Sequence, residues 1–72
     1  MSNFTVIIEK DEEAGLYVGE VVGLPGCHTQ GKDIDELMKN MREVIELCLE
    51  AEKDRLSNLP KFVGLQQIEI PA

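Results

Sequence analysis

The sequence is poor in the groups that small proteins use to staple themselves together. It has two cysteines, Cys27 and Cys48, and one histidine, His28. There is no Cys-x-x-Cys pair. A structural zinc site takes about four Cys and His ligands at short spacings. His28 stands directly beside Cys27, and neighbouring side chains on a strand point to opposite faces. No metal or other cofactor is therefore expected. The two cysteines read as reduced thiols, with Cys48 packed as a small apolar residue. The start, Met1-Ser2-Asn3-Phe4, lacks the basic region and apolar run of a signal peptide. No apolar stretch approaches the ~20 residues of a membrane span. A cytoplasmic protein with no membrane contact is expected.

Basic residues are also scarce. Lys and Arg total 7 against 14 Asp and Glu, for a net charge of −7. Phosphate backbones repel such a surface, so direct nucleic-acid binding is not expected. A basic protein partner suits it better, because complementary fields speed encounter and reject wrong partners. The plainer reading is that the charge keeps a small protein soluble. With 72 residues, the chain reads as one domain over 1–72. A chain of this size buries only about 60% of the surface its unfolded form exposes, so its core is thin. A partner subunit would relieve that shortage.

Along the chain, residues 4–10 are rich in β-branched and aromatic types and read as a strand. Residues 11–15 form a turn in which Gly15 can take a positive φ. Residues 16–22 pair back as a hairpin, and Gly19 suggests a bulge or a close neighbouring backbone. Gly23-Leu24-Pro25-Gly26 is a turn of type II character, because Pro fixes φ and the next Gly permits a positive one. A short third strand over 27–30 stops at Gly31.

A helix over 33–56 is the clearest element. Asp33 can cap it, and Glu36 three residues later completes a capping-box pattern. Asp35 and Glu36 place negative charge at the positive end of the helix dipole. Apolar residues recur with helical spacing at Ile34, Leu37, Met38, Met41, Val44, Ile45, Cys48, Ala51 and Leu56. Leu47 and Leu49 flank this line, and Met38, Ile45 and Leu56 form a second row. The extra width fits either a helix sunk into its own sheet or a contact with a second subunit. A final strand over 62–70 is expected, with its alternation broken at Gln66-Gln67 as a bulge would break it. Such a strand beside an open edge can pair with another chain. The fold class is thus α+β, in the order β-β-β-α-β: an antiparallel sheet with one long helix on one face.

The stretch Leu24-Pro25-Gly26-Cys27-His28-Thr29-Gln30-Gly31, followed by Ile34-Asp35-Glu36-Leu37 and Asn40, resembles the HicB family of antitoxins. Gly15-Leu16-Tyr17-Val18 before it fits as well. The resemblance covers about residues 4–56. It implies a partial ribonuclease H-like fold without a nuclease centre. It also implies a role in binding and silencing HicA, a small basic toxin that cleaves messenger RNA. Many members carry a C-terminal DNA-binding domain. Here only Pro71 and Ala72 follow the expected last strand, so none is expected.

Each motif residue has a plain structural role to weigh against a functional one. Leu24, Pro25, Gly26 and Gly31 are most simply turn residues. Cys27 begins the strand that follows, and Thr29 and Gln30 can satisfy backbone groups at its end. His28 has no nucleophile and acidic orienter placed by any motif, so an enzyme is not expected. The candidate partner-binding carboxylates are Asp11, Glu12 and Glu13 in the first turn, and Glu43, Glu46 and Glu50 on the helix. The leading reading is an antitoxin for a HicA-type toxin, working as a homodimer or higher oligomer. The alternative is an orphan oligomeric module with no toxin partner.

Overall fold

Three strands and one helix follow in order, Val6–Asp11 (β1), Leu16–Val21 (β2), His28–Gly31 (β3) and Ile34–Ala51 (α1). The computed structural model describes residues 3–51 and 60–71. The sheet is antiparallel throughout, in the order β1-β2-β3. The α+β class therefore stands as the sequence predicts. The C-terminal part of the expected helix, including Leu56, lies outside the described residues.

The hairpin turn closes with the Gly15 N–H donating to the Asp11 carbonyl at 2.8 Å, and Gly15 has φ +67°. The next connection is a type II turn. Cys27 N–H donates to the Leu24 carbonyl at 3.1 Å, Pro25 occupies the second position, and Gly26 has φ +78°. Asp33 caps α1 by accepting the Glu36 N–H at 2.7 Å on Oδ1. Glu36 reaches back in turn, but to the Lys32 N–H at 2.7 Å rather than to that of Asp33.

Two expectations need correction. Gly19 marks no bulge, since the register runs unbroken from Val6↔Val21 to Asp11↔Leu16. Its reason is space: a Cβ there would lie 2.6 Å from the Met41 methyl and 3.3 Å from Leu37 Cδ1. The expected fourth strand over 62–70 is not formed, because the described residues 60–71 carry no regular structure. A strand exists through its ladder, and here no neighbouring strand is paired with this segment. With no strand, there is no bulge at Gln66-Gln67 either.

The helix crosses one face of the sheet, and the core lies between them. Val21, Leu24, Cys27, Leu37 and Met41 are buried, while Val6, Val44, Ile45, Cys48 and Leu49 pack around them. Much of the wide helical stripe is thus used within the chain. Ile45 and Leu49 join the core, whereas Met38 and Leu47 stay exposed. Gly31 sits directly under the first turn of α1, where a Cβ would be 2.5 Å from the Leu37 backbone nitrogen.

These contacts rank three substitutions. Gly31→Ala drives a methyl into rigid backbone and should cost about 3 kcal/mol or more. Gly19→Ala meets the flexible end of Met41 and should cost about 1–2 kcal/mol. Gly15→Ala meets nothing within 4 Å, and its cost of about 1 kcal/mol comes from the positive φ alone. Urea unfolding of the three variants should reproduce that order, and a harmless Gly31→Ala would contradict the packing described.

Candidate functional site

The motif residues run the length of β3, from the Leu24–Cys27 turn at the end of the sheet that packs on the distal part of α1 to Gly31 under its first turn. Leu24 and Cys27 are buried, Pro25 and Gly26 are exposed, and the turn between them seals that end of the core. The Val21 N–H donates to the Cys27 carbonyl at 2.9 Å. That bond sets the alternation of the β2–β3 ladder, so Gln30, opposite Val18, turns its N–H and C=O to the outer edge. There Asn40 Nδ2 donates to the Gln30 carbonyl at 2.9 Å, tying the helix to β3. Thr29 is half-buried and Gln30 exposed, while Gly31 is the close-approach point under α1. The structure therefore gives Leu24, Gly26, Cys27 and Gly31 framework roles. The tie from Asn40 to β3 was hidden in the sequence; its signal was an Asn placed ten residues beyond Gln30, among the apolar positions of the helix.

Cys27 is fully buried, and its thiol donates to the Val44 carbonyl at 3.8 Å. Burial pushes its pKa from 9.0 up to about 12, with the adjacent Cys48 thiol adding to the shift through a hydrogen bond and by charge repulsion. Cys27 is thus a protonated packing group rather than a nucleophile. His28, its neighbour, is exposed. Among the described residues no three His, Cys, Asp or Glu side chains are grouped to hold a metal ion. Nor is any described helix long and apolar enough to cross a membrane.

The candidate carboxylates are all exposed, but they do not form one site. Asp11, Glu12 and Glu13 occupy the hairpin turn, where Asp11 Oδ1 accepts the Ala14 N–H at 3.2 Å. That turn shares its end of the sheet with Gly31, and hence with the start of α1 and its acidic residues Asp33, Asp35 and Glu36. Glu43, Glu46 and Glu50 recur every three to four residues and so share one helix face. They lie on the distal half of α1, near the end that packs on Cys27. The molecule thus carries two separate acidic patches, one at each end.

The Cys27 shift has a consequence for stability. A thiol whose pKa is raised by folding contributes stability that is present below about pH 9 and is lost as pH rises toward 12. Cys27→Ala should be less stable than the parent at neutral pH. The difference between the two should then shrink between pH 9 and 12 in denaturant titrations. A difference that stayed constant would contradict a buried neutral thiol.

Comparison with known proteins agrees with this framework. The model of a family described as the HicB-like antitoxin of bacterial toxin-antitoxin systems matches residues 4–70. A UPF0150 protein of Synechocystis sp. is 51% identical over 67 residues, covering 93% of each chain. A UPF0150 protein of Archaeoglobus fulgidus is 49% identical over 93% of each chain. One from Thermotoga maritima is 48% identical over 93% of this chain and 88% of its own. No solved structure gives a significant match. The chain belongs to the HicB-like antitoxin family of bacterial toxin-antitoxin systems.

Proposed function

We propose that the domain is a non-catalytic antitoxin that binds a small basic HicA-type toxin and masks the surface with which that toxin holds messenger RNA. The family match carries the reading, since an antitoxin has a toxin as its counterpart. Charge supports it independently. A surface that attracts phosphates also attracts carboxylates, and this chain bears −7 with its candidate carboxylates exposed. The motif residues serve turns and packing, which fits a domain that acts by occupying a partner. Such a toxin meets its RNA in the cytoplasm, and the domain works there. It works as a homodimer or higher oligomer, because its buried core is so small.

The two acidic patches make the proposal specific. One toxin docks at one end of the domain, so one patch should matter more than the other. The test mixes the protein with the product of the adjacent gene and follows both binding and RNA cleavage. Cleavage should stop at stoichiometric protein. Neutralising the responsible patch, by E12Q/E13Q or by E43Q/E46Q, should slow association about tenfold at low salt and leave dissociation nearly unchanged. If the two proteins fail to bind, or RNA is cleaved in full at excess of this protein, the orphan oligomeric module becomes the better reading.

A further inference from the structure

Among the described residues, no strand pairs with one edge of the sheet. The Val22 N–H donates to the Thr5 carbonyl at 2.9 Å, which fixes the alternation of the β1–β2 ladder. Val6, Ile8 and Lys10 accordingly turn their N–H and C=O groups outward, away from β2. Among the described residues no further strand meets them. Ile7 and Ile8 are 42% and 41% exposed, so this open edge is apolar on both faces of the sheet. An open apolar edge of this kind is a template for another strand.

The same chain carries a segment of strand-like composition that joins no sheet. Pro60 and Pro71 bracket residues 61–70, each of which has a backbone N–H. The segment exposes Val63 at 97%, Leu65 at 70%, Ile68 at 80% and Ile70 at 72%. Val63 and Leu65 fall in one phase of a strand, and Phe62, Ile68 and Ile70 in the other. Apolar residues in both phases suit a strand covered on both faces. The segment begins at the Val6 end of the sheet, since the Pro60 carbonyl lies against Gly23 just beyond β2. Within one chain it still leaves that edge empty.

We infer that residues 61–70 of one chain add to the outer edge of β1 in a second copy, which returns its own segment to the first. This rests on the homo-oligomer reading above and supplies its mechanism. Charge favours a second copy through this segment. Two chains of −7 repel through their acidic faces, whereas 61–70 carries only Lys61 and Glu69 and is net neutral. The exchange is isologous: the same edge and the same segment are used twice, so the pair closes on itself. Main-chain hydrogen bonds supply the attachment, and the alternating apolar side chains extend the thin core.

Proline can test each half separately. The outward N–H of Ile8 makes no bond within its own sheet, so Ile8→Pro blocks the edge while sparing the β1–β2 ladder. Ile68→Pro disables the segment without touching the folded part. Sedimentation of the full chain should show a dimer. Each variant should weaken dimerisation about tenfold or more, as expected for loss of ladder bonds and apolar contact. An equimolar mixture of I8P and I68P should recover a heterodimer, because one intact edge then meets one intact segment. Hydrogen exchange gives a readout in the parent itself: the Val6, Ile8 and Lys10 amides should be protected there, and I68P should release them. A monomeric parent would overturn both this inference and the oligomer reading. A dimer unaffected by I8P, with those amides unprotected, would overturn the strand exchange alone.

Discussion

The helix lies against the sheet at a distance that leaves no room for a side chain at two sheet positions. At Gly31 the backbone of Leu37 occupies the place of a Cβ, and at Gly19 the side chains of Leu37 and Met41 do. Leu37 and Met41 are one helical turn apart and are both buried, so this single row seats the helix. The rest of the architecture hangs from it. The Asp33 cap starts α1 at the right place to bring Leu37 over Gly31. Further along, Val44 and Cys48 meet Cys27, and the Leu24–Cys27 turn closes the end of the core. With only five buried apolar residues among those described, a misfit at either glycine has little other packing to offset it.

Most of this framework was legible in the residues. The helix announced itself through its cap and spacing, and the type II turn through Leu24-Pro25-Gly26, because both depend on local chemistry. The Gly19 expectation of a bulge or a close neighbouring backbone missed the cause, because the atoms that crowd Gly19 are the side chains of Met41, Val6 and Leu37, which only the packing reveals. The segment over 62–70 shows the opposite case. Its composition has the β character of a strand, but a strand is defined by what lies beside it. The pairing partner is a tertiary fact that composition does not carry.

The candidate site was legible in kind but not in arrangement. The acidic residues are exposed, as a charged turn and a polar helix face should be. Spacing could not reveal that β1 and α1 run so as to put the Asp11–Glu13 turn and the Glu43–Glu50 face at opposite ends. The motif reads differently once its surroundings are known. Cys27 sits inside the core with a suppressed thiol, and Gly31 is a point of backbone contact, so these positions hold the domain's shape.

The bond from Asn40 to the Gln30 carbonyl has a further consequence. A sheet with two equivalent open borders can take up copies on both sides without limit, which is the geometry of a fibre. Here one border has a carbonyl already engaged by a helix side chain that stands over it. The two borders are therefore unequal: the helix amide takes one of the acceptors that an added strand would need at β3, whereas no described strand covers the outer groups of β1.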